Sequence, residues 1–143
     1  MTIELISLLI TTVLLTLLWI PYVVGLVKSG AELTEDTYKT LHTVDENAMP
    51  HWVRRANRAH LNLVEQFGPF AAVVIIAHVT SVSTTATAVA AGVFVVARLL
   101  HATVMLGGYY FMQARTKTFS IAMLCILIIA FEIARVTITT AAA

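Results

Sequence analysis

Hydrophobic residues make up 59% of the 143-residue chain and charged residues only 12%, about half the charge of a typical soluble domain. The mean hydropathy is +0.87, and the formal net charge of +1 offers no electrostatic case for nucleic acid. A single cysteine, Cys125, excludes an intramolecular disulfide, and no Cys/His spacing suits a metal ion.

The first element is an apolar run from Leu5 to Val27, about 23 residues and long enough to cross a bilayer. A secretory signal needs a basic n-region and a short apolar core. Here the charge that precedes the run is acidic, Glu4. The segment from about Ile3 to Val27 is therefore read as a retained membrane helix, with Pro21 near its end and Lys28 and Gly30 closing it.

Residues 28–48 form the one substantial polar loop, mixed in sign, with Lys28, Glu32, Glu35, Asp36, Lys39, Asp45 and Glu46. Thr43 to Glu46 fits a capping box, Asn47 is a second possible cap, and Pro50 suits the first turn of the next helix. His42 is read as a solvated loop residue.

A second helix is expected from about Met49 to Val79, roughly 45 Å long against a hydrocarbon core of roughly 30 Å. Its polar start should project from the membrane. Pro69 lacks an N–H, so the Glu65 carbonyl loses its helical partner. A Ser/Thr turn over residues 81–87 leads to a third helix from about Ala88 to Phe111, where Ala88, Ala91 and Gly92 favour close packing. A basic turn, Met112 to Thr118, precedes a fourth helix from about Phe119 to Thr139. The chain thus reads as one all-α domain over residues 1–143, an integral membrane four-helix bundle. Both basic loops lie on one side, which the positive-inside rule places in the cytoplasm with both termini outside.

Charge is concentrated on the second helix. With Arg55 set at zero, Arg58 falls at roughly −60°, Asn62 at −20° and Glu65 at −80°. His51 shares that face. On the third helix Arg98 and His101 are one turn apart and Met105 continues their face. A charge at the depth of Arg98 costs roughly 2.5–3.5 kcal/mol on insertion scales, and such groups face a protein interior or a wet cavity. An interhelical lock would balance its charges. Three arginines, Arg55, Arg58 and Arg98, confront one carboxylate, Glu65, and this excess of guanidinium points to an incoming anion. Glu132 and Arg135 sit three apart near a helix end and can satisfy each other. His78 lies off the stripe and is read as a packing residue. Tyr109 and Tyr110 suit an interfacial aromatic belt.

The sequence Arg58-Ala59-His60-x-Asn62-x-x-Glu65, followed by Pro69, resembles the signature of the MAPEG family, the membrane-associated proteins of eicosanoid and glutathione metabolism. Ala97-Arg98-x-x-His101 resembles that family's third-helix motif. The likeness extends over nearly the whole chain. It implies a homotrimer with glutathione, as co-substrate, at each subunit interface and a hydrophobic acceptor approaching from the lipid. It implies glutathione contacts at Arg58, His60, Asn62, Glu65, Arg98 and His101, beside Arg55 from the charged stripe. It also implies a thiolate-stabilising arginine near the start of the fourth helix, for which Arg115 is the match.

The chain departs from the family in three places. Met105 stands where several members carry tyrosine, Gln66 where some carry an aromatic, and residues 102–114 lack the proline-containing turn common in the family. The resemblance implies a transferase or peroxidase acting on hydrophobic electrophiles or lipid hydroperoxides. A non-catalytic module that binds a lipid, a glutathione-like ligand or a partner protein is the alternative. A transporter is disfavoured, because no continuous polar path crosses the apolar half of the second helix.

Overall fold

The computed structural model describes residues 1–28, 49–109, 111 and 113–142. The loop reading, with its capping box, Asn47 and His42, lies outside the described residues, as does Tyr110. Four helices follow one another: α1 (Ile3–Lys28), α2 (His51–Val79), α3 (Thr85–Gly107) and α4 (Ala114–Ala141). All four are long and apolar enough to cross a membrane, and no strand occurs among the described residues. The protein is an integral, multi-pass membrane four-helix bundle.

Local chemistry sets the helix ends. Helix α1 continues through Pro21 to Lys28. Helix α3 begins three residues earlier than the sequence reading, because Thr84 and Thr87 form a reciprocal cap. The Thr87 N–H donates to Thr84 Oγ1 at 3.2 Å and the Thr84 N–H to Thr87 Oγ1 at 2.9 Å, satisfying two N-terminal donors. It ends earlier too, at Gly107. Gly108 adopts φ +69°, and the Tyr109 N–H turns back to the Val104 carbonyl at 3.1 Å, a left-handed helix stop that favours glycine. Helix α4 starts at Ala114 rather than Phe119, so most of the expected basic turn is helical and Arg115 lies in the first turn of α4.

Packing divides into two layers. Toward the end of the bundle formed by the α2–α3 turn, Phe70 of α2 and Phe94 of α3 stack with ring centroids 3.8 Å apart. Val74, Ala91, Ala122, Cys125 and Ile129 close around them. Toward the other end, Leu18, Ala59, Leu63, Ala102 and Met105 join α1, α2 and α3. Small side chains do permit the approach of α3, but the buried ones are Ala90, Ala91, Ala97 and Ala102. Ala88 and Gly92 are only half-buried, and nothing lies within 4 Å of a Cβ added at Gly92. Gly25 marks the tightest α1–α2 approach, since a Cβ there would meet Val53 at 2.6 Å and Trp52 at 2.7 Å.

His78 is not a packing residue. It is exposed and lines a cavity with Glu4, because it is the penultimate residue of α2. The Glu132–Arg135 pair forms as its spacing indicates, with Nη2 and Oε2 2.8 Å apart.

Candidate functional site

The α2 stripe, the last turns of α3 and the first turn of α4 meet at the end of the bundle opposite the α2–α3 turn. Arg98 of α3 is 1% exposed. Its Nη1 donates to Gln66 Oε1 at 3.0 Å, and Gln66 Nε2 donates onward to the Phe119 carbonyl at 3.2 Å. Three helices are tied through one glutamine. The Arg98 guanidinium lies 5.8 Å from the Phe119 ring centre, and its buried Nε has no partner.

His101, also 1% exposed, forms a second tie. Its Nδ1 lies 3.2 Å from the Arg115 carbonyl and 3.1 Å from Thr118 Oγ1. A carbonyl can only accept, and Thr118 Oγ1 has the Ala114 carbonyl to donate to at 2.8 Å. Nδ1 therefore carries the proton, and Nε2 accepts from Asn62 Nδ2 at 3.3 Å. The partners assign this tautomer. Asn62 orients His101, and His101 holds the backbone of Arg115.

Arg115 borders two cavities. One, of about 210 Å³, is lined by Asn62, Glu65, His101, Arg115, Thr116 and Phe119. The other, of about 310 Å³, is mainly apolar, with Met105 and Tyr109, but Arg55 and Arg115 enter it. Gly108 faces Arg55 across this second cavity. A Cβ there would lie 3.0 Å from the Arg55 Cζ, so the absence of a side chain admits the guanidinium. The Arg55 Nε is buried without a partner.

The local field is positive. Helix α4 begins with Arg115 and Lys117, has no acidic residue in its first turn, and its Gln113 N-cap makes no side-chain cap. Cations at a helix N-terminus oppose the helix dipole, whereas an anion there is attracted by both. Glu65 is exposed and acts on Arg98 through space. Among the described residues the side-chain ion pair within 4 Å is Glu132–Arg135, and no described carboxylate contacts the arginines around the cavities.

The expected site residues do not all converge. Arg55, Asn62, Glu65, His101 and Arg115 line one cavity or the other. Arg98 stands behind the smaller one. Arg58 is exposed and lines neither cavity. His60 is half-buried, with an unpartnered Nδ1, and also lines neither, since it lies roughly 140° around α2 from Arg55. His51 is engaged locally, its Nδ1 2.7 Å from Arg54 Nη2. Three contributors escaped the sequence reading: Gln66, Thr116 and Thr118. For Gln66 the signal existed, because it falls roughly 20° from Arg55 on the helical wheel, at the edge of the polar arc.

The MAPEG family model matches residues 5–135. The chain belongs to the MAPEG family. The match spans all four helices and both sequence motifs. A comparison with curated proteins found no match. The family includes glutathione transferases and peroxidases as well as non-catalytic members.

Proposed function

We propose that this MAPEG protein is a membrane-bound, glutathione-dependent transferase or peroxidase acting on hydrophobic electrophiles or lipid hydroperoxides. The observation that carries the reading is Arg115. It stands in the first turn of α4 with no carboxylate in contact among the described residues, and both cavities border it.

Glutathione brings two carboxylates, an ammonium and a thiol. Arg55 and Arg58 suit the carboxylates, because guanidinium and carboxylate match in bidentate geometry, which leaves Arg115 for the sulfur. Glu65 can accept from the ammonium, and Asn62 can accept or donate. The thiol then lies near Arg115. An unperturbed thiol titrates at about 8.5, and lowering that by two units takes about 2.7 kcal/mol of preferential thiolate stabilisation. With an electrophile, the sulfur forms the new bond to carbon, the leaving group departs with its electron pair, and the thiol proton passes to water. With a hydroperoxide, the sulfur takes the terminal oxygen and releases an alcohol. A second glutathione then condenses with the sulfenic acid, giving glutathione disulfide and water.

The proposed assembly is a homotrimer with its site facing the cytoplasm and both termini outside. Arg58 and His60, outside both cavities of one subunit, then complete the glutathione site at the subunit boundary. A second reading, glutathione binding without catalysis, is favoured by Met105, which lines the larger cavity and has no hydroxyl to donate to a thiolate.

The deciding experiment is a thiolate titration of glutathione on the detergent-purified protein, with Arg115→Ala alongside. A thiol titration lowered in the wild type and restored in the variant supports catalysis. Binding with an unshifted thiol supports the second reading, and no binding sinks both.

A further inference from the structure

The far end of the bundle carries a second constellation, independent of whatever the arginine end binds. Glu4 is the first charged residue of α1, yet it is 2% exposed. Thr87 of α3 lies 2.5 Å from its Oε1, and Ser83 Oγ donates to Oε1 at 3.2 Å. No cation touches it among the described residues. These partners and Thr2, which also hydrogen-bonds to Glu4, are neutral hydroxyls, so the carboxylate is hydrogen-bonded but its charge is uncompensated, in surroundings where an isolated buried charge is costly.

A cavity of about 250 Å³ opens against this carboxylate, with Thr2, His78, Ser81 and Ser83 on its polar wall and Val74 and Val82 on its apolar one. Ser83 is shared with a neighbouring open groove of about 540 Å³, lined by Ile3, Thr84, Thr85, Ala88 and Val89. Ile3 and Val89 are more than half exposed. An acidic, hydroxyl-lined pocket thus adjoins, at Ser83, a groove whose apolar side chains are Ile3, Ala88 and Val89, at one end of the membrane-length helices.

We infer that this end of the bundle binds a membrane lipid with a primary ammonium headgroup, of the phosphatidylethanolamine class. The ammonium enters the cavity and donates to Glu4, with the Ser83 and Thr2 hydroxyls able to accept its remaining protons. An acyl chain lies in the groove along Ile3 and Val89. His78, exposed at the cavity rim, is placed to donate to the phosphate. The chemistry selects against choline. A quaternary ammonium has no N–H for the carboxylate and is recognised by aromatic faces, and no aromatic lines this cavity. A soluble amine would satisfy Glu4 equally but would leave the groove unused.

The test is lipid retention by native mass spectrometry on the detergent-purified full chain. It is exchanged against phosphatidylethanolamine, phosphatidylcholine, phosphatidylglycerol and, separately, free ethanolamine. The wild type is expected to retain phosphatidylethanolamine at least tenfold over the other two lipids and to ignore ethanolamine at equal concentration. Glu4→Gln should abolish that preference. Because Glu4 also joins α1 to α3, Thr2→Phe serves as a second variant that fills the cavity while leaving the Glu4–Thr87 contact in place, and it too should lose the preference. Equal retention of the ethanolamine and choline lipids overturns the inference, as does a preference that survives in Thr2→Phe or in folded Glu4→Gln. Ethanolamine binding as tight as the lipid overturns the lipid assignment.

Discussion

Gln66 and Arg98 meet at 3.0 Å between α2 and α3, and neither side chain is more than 5% exposed. Gln66 is therefore the polar partner that lets a guanidinium stay inside the membrane bundle. Gln66→Leu should destabilise the protein by roughly 2–3 kcal/mol, since it leaves a buried charged donor unpaired. Unfolding in mixed detergent micelles measures this. Double replacement, Gln66→Leu with Arg98→Met, should recover much of the loss, because apolar pairs can replace buried polar ones at little cost. A double variant no better than the single one would contradict this account.

Asn62 and His101 form the relay that holds the Arg115 backbone. Their coupling in a double-mutant cycle, Asn62→Leu and His101→Phe, should be about 0.5–1.5 kcal/mol. If the relay also positions Arg115, each single variant should raise the thiol titration of bound glutathione part of the way toward that in Arg115→Ala. Independent, additive stability effects would show the two residues to be uncoupled.

Gly108 has two reasons to be glycine. Its φ of +69° costs an L-residue roughly 1–2 kcal/mol, and a Cβ would press on the Arg55 guanidinium. Gly108→Ala should lower stability by about that amount and also weaken glutathione binding, whereas Arg55→Met should weaken binding alone. Isothermal titration on both variants separates the two effects.

Thr84 caps α3 and also lies 3.4 Å from Glu132. Thr84→Ala should cost about 1 kcal/mol, the usual price of a lost N-cap, and hydrogen exchange should show faster opening confined to the first turn of α3. Glutathione binding at the far end of the bundle should not change.

Salt should oppose glutathione binding. Arg115 is exposed and Arg55 half-buried, so their attraction for the anionic groups of glutathione is screened within a Debye length of about 10 Å at 0.1 M. Affinity should fall several-fold between low salt and 0.5 M sodium chloride, and the fall should be shallower in Arg115→Ala.

The helices and the arginine end were largely legible because each rests on a local signal. Apolar runs announce spans, and the recurrence of Arg55, Asn62 and Glu65 at helical spacing announces a face. The boundaries of α3 and α4 were less so. Thr84 and Thr87 could be read as turn residues until their side chains were seen to cap one another, and the Gly107–Gly108 pair stops α3 earlier than the apolar run that continues past it. The long-range ties were not legible at all. A glutamate near the start of a chain carries no mark that a threonine 83 positions later will bury it. Gln66 differs from its solvent-facing neighbour Glu65 only by the 100° turn that points it at Arg98.

Cys125, the chain's single cysteine, is packed inside the bundle at 4% exposure. A thiol reagent added to the native protein therefore has no accessible sulfur to find. A cysteine placed at exposed Thr116, which lines the smaller cavity beside Arg115, would be the one reactive label, so fluorophores or spin probes can be set there in an otherwise wild-type molecule, and distances between copies read without first rebuilding the protein's interior.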